Sequence, residues 1–318
     1  MRPWHGVVVA TATPYRTDLS LDLDRYAEHV SWLGTAGCHG VTPNGSLGEY
    51  QVLTDAERAD MVRVAVEAAP RGCSVVPGVS AYGAVEALRW AEQAASAGAA
   101  AVLLLPPNAY RAGPDEVLAH FAAVAQAGLP IVAYNNPHDT RVDLTPELLA
   151  RIADEVPEVV AVKEFSGDVR RIFRLRELAP RLDVLAGADD VLLELLVSGA
   201  VGWIAGFPNA LPEVSVALYE WSRAGRLAEA LPLYRALHPI FRWDSRHTFI
   251  QAIKLAMDEV GRYGGPVRLP RLPLPEAEAA AVRADLATAL AYGGPTGPAI
   301  PRPGHAGDPV SGAATPAG

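Results

Sequence analysis

Residues Val159–Glu164 read VVAVKE, an apolar run that ends in a lysine and a glutamate, and similar apolar runs recur along the chain. VVVA at 7–10, AVLLL at 101–105 and IVAY at 131–134 are also unbroken rather than alternating with polar residues. Strands of this kind are typical of parallel sheets that are covered on both faces. Amphipathic segments of helical length separate the runs, so the chain alternates strand and helix.

Eight such alternations can be followed. The predicted strands are Gly6–Thr11, Gly40–Thr42, Ser74–Pro77, Ala100–Leu105, Pro130–Tyr134, Val159–Glu164, Asp183–Ala186 and Val201–Ala205. The predicted helices are Asp22–Ala36, Thr54–Ala69 with Thr54 as N-cap, Ala84–Ala97, Pro114–Ala127, one from Thr145, Val169–Leu178, Asp190–Ser198 and the segment after Leu211. An open doubly wound sheet and a closed barrel both fit this order. Eight repeats in roughly 205 residues favour a (β/α)8 TIM barrel, whose typical size is about 250 residues.

Three regions are expected along the chain. Residues 1–208 form the barrel, and 209–293 form a C-terminal helical extension with helices at Pro212–Gly225, Arg226–Phe241, Arg246–Val260 and Pro275–Ala291. Residues 294–318 contain six Pro and six Gly in 25 positions. Such a segment buries too little apolar surface to offset its ordering entropy, so we expect a disordered tail.

The composition excludes several classes of protein. A net charge of −9 disfavours nucleic acid and anionic membranes as partners. Two cysteines, Cys38 and Cys73, supply neither a disulfide framework nor a zinc-ligand cluster. No signal peptide is evident, and no stretch approaches the roughly 18 apolar residues of a membrane span. We therefore expect a soluble cytoplasmic protein.

Lys163 ends the sixth predicted strand, in apolar surroundings where a lysine without a partner is uncommon. Burial disfavours the charged amine and lowers its pKa, which leaves the neutral amine that condensation with a ketone requires. Two structural explanations remain beside this one: a lysine that extends to solvent, and a lysine paired with Glu164.

Two further motifs follow strands of the same barrel. Tyr134, which ends the fifth strand, can relay a proton, although a tyrosine there can also be a plain core residue. Gly45–Tyr50 reads GSLGEY; its glycines let backbone amides face an anion, although it can also be a plain glycine turn. Catalytic residues of barrel enzymes come from this carboxyl-terminal rim. Lysine, phenol and anion loop together predict an active site.

The motifs together resemble the dihydrodipicolinate synthase/N-acetylneuraminate lyase superfamily, in order and spacing, across residues 6 to about 292. The residues that carry the resemblance are Thr13–Pro14, Gly45–Glu49, Tyr134–Pro137, Val162–Glu164, Gly187–Asp190, Gly202–Ala205 and Asn209. The resemblance implies a class I (Schiff-base) lyase or synthase that forms or cleaves a carbon–carbon bond of a pyruvate-type 2-keto acid. It also implies a homotetramer, an aldehyde as a second substrate, and neither a metal nor an organic cofactor.

The resemblance assigns roles to particular residues. Lys163 would form the Schiff base, and Tyr134 would shuttle the proton. Ser46 and the amide of Leu47, in the loop that begins at Gly45, would hold the carboxylate of the keto acid. The carbonyl of Ile204 would face the bound keto acid. Some relatives borrow a tyrosine from a neighbouring subunit, and Tyr110 is the candidate here.

The sequence departs from the family pattern at two positions. Leu47 replaces the second hydroxyl residue of the carboxylate loop, which makes the pocket more apolar. Asp139 stands where the lysine-biosynthesis synthase has an arginine that clamps the second substrate's carboxylate, so a clamp becomes a repulsive charge. Arg141 lies two residues further on. Asp139 would suit a partner with hydroxyls or a positive charge, which favours a catabolic role.

Three other functions are compatible with the same residues. A Schiff-base dehydratase or deaminase of a 2-keto-3-deoxy sugar acid or of hydroxypyrroline carboxylate belongs to the same superfamily. A non-catalytic keto-acid sensor on the same scaffold would bind without turnover. A metal-dependent barrel aldolase would need a cluster of His, Asp and Glu side chains, which the sequence does not present locally.

Overall fold

The computed structural model describes residues 2–292. The tail expected to be disordered, residues 294–318, lies outside the described residues. Within residues 2–292, no helix is both long enough and apolar enough to cross a membrane.

Eight parallel strands form one sheet in the order β3-β2-β1-β8-β7-β6-β5-β4. Their bounds are β1 Gly6–Ala10, β2 Gly40–Thr42, β3 Ser74–Val75, β4 Val102–Leu104, β5 Ile131–Asn135, β6 Val159–Glu164, β7 Asp183–Ala186 and β8 Gly202–Ala205. The edges β3 and β4 meet just past β3, where the amide of Val79 donates to the carbonyl of Leu103 at 3.0 Å and the amide of Leu103 donates to Pro77 at 2.9 Å. These bonds close the sheet, so the prediction of a (β/α)8 barrel is confirmed.

Twelve α-helices lie within the described part of the chain. They are α1 Leu23–Thr35, α2 Asp55–Ala68, α3 Ala84–Ala97, α4 Pro114–Ala125, α5 Pro137–Thr140, α6 Pro146–Glu155, α7 Arg171–Leu178, α8 Leu192–Val197, α9 Pro212–Arg223, α10 Leu227–Phe241, α11 Phe249–Glu259 and α12 Glu276–Leu290. Thr54 caps α2 as predicted, in a reciprocal pair of hydrogen bonds with Glu57. Short 3-10 turns occur at Tyr50–Val52, Asp189–Val191 and Phe207–Asn209.

The helix α5 is absent from the sequence prediction. It is a single turn, too short to show a helical period, and it begins with Pro137 at a position that needs no amide donor. Asn136 caps it by accepting from the amide of Asp139 at 3.3 Å. The cap holds the start of the β5–α6 connection against the end of the strand that carries Tyr134.

The last helices pack against the barrel in two ways. On α9, the hydroxyl of Tyr219 donates to the carbonyl of Val201 at 2.8 Å, so this helix completes the eighth strand–helix unit. Phe241 at the end of α10 packs against Trp203 of β8 and against Phe207, with ring centroids 5.6 and 6.0 Å apart. The connection from α10 to α11 thereby reaches the carboxyl ends of the strands. The predicted boundary between barrel and extension, after residue 208, stays a prediction.

Candidate active site

A cavity of about 880 Å³ opens at the carboxyl ends of the strands. Strand ends and the loops after them line it, and the residues that the sequence predicted for the site and that line it are Gly45, Ser46, Leu47, Tyr134, Asp139, Lys163 and Ile204. In barrel enzymes this rim carries the catalytic residues. The fold therefore brings together residues that lie as much as 159 positions apart in the chain, from Gly45 to Ile204.

Lys163 is 7% exposed and borders this cavity. Its Nζ atom lies 4.3 Å from the centroid of the Tyr134 ring and 5.8 Å from that of Phe165. Burial lowers the pKa of this amine to about 8, against the opposing influence of the Asp244 and Asp189 carboxyls. Near physiological pH the neutral form is then a minority of the amine, but a far larger share than for an ordinary lysine, and it is the form that attacks a carbonyl carbon.

Glu164 is not the partner of Lys163. Its carboxylate accepts from the amide of Ser166 at 2.7 Å and from the side chain of Asn135 at 3.1 Å. Successive strand residues point to opposite faces, so the lysine faces the barrel interior while the glutamate faces outward. Both structural explanations of this lysine, pairing with Glu164 and extension to solvent, are therefore wrong.

Tyr134 lies beside this amine with its hydroxyl in a defined orientation. The Nδ2 group of Asn136 donates to the Tyr134 oxygen at 3.3 Å and to Asp139 at 2.8 Å. Because the phenol oxygen accepts this bond, its own hydrogen is free for a group bound in the cavity. Burial raises the pKa of Tyr134 above its usual value, so the phenol stays protonated in the free protein.

The Gly45–Glu49 loop has a tightly packed backbone. Asn44 and Glu49 take positive φ angles of 57° and 54°. A Cβ on Gly48 would lie 3.0 Å from the Asn44 nitrogen, so this close approach favours glycine. Within residues 2–292, the backbone amides of Ser46 and Leu47 have no hydrogen-bond acceptor. Two free amides beside a hydroxyl can accept an anionic group.

Tyr110 is placed differently from the other predicted residues. It is 53% exposed and does not line the cavity of its own chain. Its neighbour Asn108 does line it and donates to the hydroxyl of Tyr50 at 3.3 Å. The use of Tyr110 by an adjacent subunit stays a prediction.

Several lining residues were missed by the sequence prediction. Tyr50 and Asn136 lie inside motifs that it quoted, so their positions after strands were an available signal. Asp244, Arg246 and Arg271 come from the C-terminal extension and follow no strand. No pattern in the sequence places these three at the barrel rim. Among residues 2–292, no group of three His, Cys, Asp or Glu side chains is arranged to hold a metal ion.

Comparison with known proteins agrees with this geometry. The model of the dihydrodipicolinate synthetase family matches residues 3–289. A 4-hydroxy-tetrahydrodipicolinate synthase from Maridesulfovibrio salexigens is 33% identical over 285 residues, which cover 89% of this chain and 97% of that protein. Relatives of this kind do not favour a dehydratase or deaminase, nor a non-catalytic keto-acid-binding protein.

Solved structures show the same likeness. A putative dihydrodipicolinate synthetase from Pseudomonas aeruginosa superposes with a TM-score of 0.86 at 32% identity, over 90% of this chain and 99% of that one. YagE, a prophage protein of the dihydrodipicolinic acid synthase family from E. coli K12, was solved in complex with pyruvate. It gives a TM-score of 0.84 at 28% identity, over 90% and 98% of the two chains. The chain therefore belongs to the dihydrodipicolinate synthetase family and is a class I lyase of the dihydrodipicolinate synthase type.

Proposed function

We propose that Lys163 forms a Schiff base with a pyruvate-type 2-keto acid and that an aldehyde is the second substrate. The observation that carries this proposal is a buried amine with no carboxylate within ion-pair distance among residues 2–292, beside a phenol and two free amides in one cavity. The pyruvate bound by the related YagE supports the choice of keto acid. The protonated imine draws electrons from the adjacent carbon–carbon bond, which can then break or form through an enamine.

The other residues take complementary roles in this proposal. The amides of Ser46 and Leu47 and the Ser46 hydroxyl hold the carboxylate of the keto acid, and the carbonyl of Ile204 faces its reacting end. Tyr134 moves the proton when the carbon–carbon bond forms or breaks. A positioned acid–base group of this type contributes roughly 10² to 10⁴ in rate.

Asp139 limits the identity of the second substrate. The carboxylate of Asp139 accepts from Asn136 at the cavity wall. A partner with its own carboxylate at this wall would be repelled, whereas hydroxyls or a positive charge would be attracted. We therefore propose an aldehyde that presents hydroxyl or cationic groups to Asp139, in a catabolic reaction.

Borohydride reduction in the presence of pyruvate tests the central proposal. The chain has two lysines, Lys163 and Lys254, so mass spectrometry has few amines to distinguish. We expect the reduced adduct on Lys163, none on Lys254, and no adduct in a Lys163→Ala variant. An unmodified Lys163 at saturating pyruvate, in protein whose folding is verified by circular dichroism, would falsify the Schiff-base function.

A homotetramer and a cytoplasmic location complete the proposal. Membership of the family supports the first. Sedimentation equilibrium measures the assembly, and a tetramer would allow Tyr110 of one subunit to be tested against the cavity of another.

A further inference from the structure

Asp244 is a carboxyl group that the extension delivers to the cavity of Lys163. It lies between α10 and α11, lines the cavity, and is 7% exposed. Its Oδ1 atom lies 2.6 Å from the position that a Cβ on Gly206 would take. Any side chain at 206 would therefore displace this carboxyl from the barrel rim.

The turn after β7 joins Asp244 to the lysine. A Cβ on Gly187 would lie 3.1 Å from Cγ of Lys163, so the lysine stem packs against the start of this turn. Two residues on, the amide of Asp189 donates to Oδ2 of Asp244 at 3.4 Å. Lys163 and Asp244 thus contact the same three-residue turn, and both face the cavity.

Asp189 and Asp244 differ in how their oxygens are satisfied. Asp189 accepts from the indole of Trp203 at 2.9 Å and from the amide of Phe207 at 3.0 Å, with the amide of Gly206 slightly further away. These hydrogen bonds give the Asp189 carboxylate a structural role. Among residues 2–292, Asp244 accepts only the long bond from Asp189. Burial and the nearby Asp189 raise the pKa of Asp244 well above its usual value, which favours the protonated acid.

We infer that Asp244 is the general acid for imine formation at Lys163, an inference that rests on the proposed Schiff-base function. The neutral amine of Lys163 adds to the C2 carbonyl, and proton transfer within the adduct gives a carbinolamine. Asp244 then donates its proton to the carbinolamine hydroxyl, which leaves as water while the C2–N double bond forms. The products are a protonated imine, one water molecule and the Asp244 carboxylate, so protons and charge balance. The new carboxylate and the iminium cation attract each other in the low-dielectric site.

Asp244 is better suited to this step than Tyr134. Burial raises the pKa of the Tyr134 phenol above its already high ordinary value. The phenol therefore gives up a proton less readily than a protonated carboxyl does. The two groups then divide the reaction. Asp244 donates the proton for the loss of water, and Tyr134 transfers the proton when the carbon–carbon bond forms or breaks.

Other charged and titratable groups share this environment. Those that face or adjoin Asp244 are Lys163 on β6, Tyr134 on β5, Asp189 and Asp190 after β7, and Arg246 and His247 on its own connection. Asp190 provides a matched control, because it lines the same cavity but accepts from the Ser245 hydroxyl at 3.0 Å. Asp190→Asn makes the same carboxyl-to-amide exchange in the same cavity as Asp244→Asn.

The test is rapid-quench borohydride trapping of the pyruvate adduct on Lys163. We expect Asp244→Asn to slow adduct formation by at least roughly 10²-fold, with the same final yield after long incubation. The wild-type rate should fall on the alkaline side as Asp244 loses its proton, and Asp244→Asn should lack this decline. Asp190→Asn should keep both the rate and the decline to within a few-fold.

Three results would overturn the inference: an unchanged rate in Asp244→Asn, an equal loss in Asp190→Asn, or a wild-type rate that does not fall at alkaline pH. The last measurement needs no variant, so it decides even if Asp244→Asn does not fold. Failure of the Schiff-base proposal is distinguishable. In that case the wild-type protein forms no adduct on Lys163 at any time or pH.

Discussion

Lys163 and Lys254 are the two lysines among 27 Lys and Arg residues, and both are buried. Lys254 donates to Glu49 at 2.8 Å and to the carbonyl of Pro266, so its charge is compensated. Lys163 contacts aromatic faces instead. At the residue scale, reactivity therefore depends on the environment of the amine rather than on the residue type, because an amine held as a cation by a carboxylate is a poor nucleophile.

Replacing Tyr134 by Phe keeps the ring beside Lys163 and removes the proton relay. We expect kcat to fall by roughly 10² to 10⁴, while pyruvate trapping on Lys163 persists. Steady-state kinetics with a competent aldehyde and borohydride trapping measure the two effects. Tyr219→Phe is the control, because that hydroxyl bonds to Val201 behind the barrel wall. A near-normal kcat in Tyr134→Phe would show that the phenol takes no part in the reaction.

At the scale of elements, the end of β6 depends on the first residue after β7. An added Cβ at Gly187 would lie 2.5 Å from the carbonyl oxygen of Glu164 and 3.1 Å from the Lys163 stem. Backbone cannot move aside as a flexible side chain can. The glycine therefore sets the spacing of two adjacent strand ends, and with it the position of the amine.

We expect Gly187→Ala to destabilise the protein by about 1–3 kcal/mol through overpacking. We also expect the yield of the trapped pyruvate adduct to fall by more than the loss of folded protein accounts for. Gly83→Ala is the comparison, since a Cβ there meets nothing within 4 Å. Urea unfolding and trapping yield are measured on both variants. Equal behaviour of the two would show that this contact does not position Lys163.

At the scale of the whole molecule, the C-terminal extension holds the Gly45–Glu49 loop in place through contacts to Glu49. Lys254 on α11 pairs with Glu49, and both side chains are almost fully buried. The amide of Arg268 donates to the other oxygen of Glu49 at 3.3 Å. The loop that carries Ser46 is thereby fastened to residues more than 200 positions away.

Lys254→Met leaves Glu49 as a buried charge without its main partner, so we expect a loss of about 3–5 kcal/mol in the free energy of unfolding. The loosened loop should also raise the KM for pyruvate. Arg283→Met, which removes an exposed pair with Glu259, should change stability little. Denaturant unfolding and initial rates check both, and similar losses in the two variants would contradict this account.

The barrel and much of the site were predictable because they depend on local patterns. Unbroken apolar runs such as Val159–Glu164 predict buried parallel strands, and residues that end such strands must meet at one rim. Lys163, Tyr134 and the Ser46 loop follow from that rule, and membership of the predicted family is confirmed. The roles of these residues stay predictions.

Tertiary structure alone decided what the extension contributes. Asp244 and Arg246 follow no strand and belong to no periodic pattern, so their sequence does not indicate that they reach the cavity. They reach it because Phe241 packs on Trp203 and directs the next connection over the rim. The lowered pKa of Lys163 likewise depends on burial by segments that folding brings together, against carboxyls that folding also brings near, and long-range proximity of this kind has no local signature in the chain.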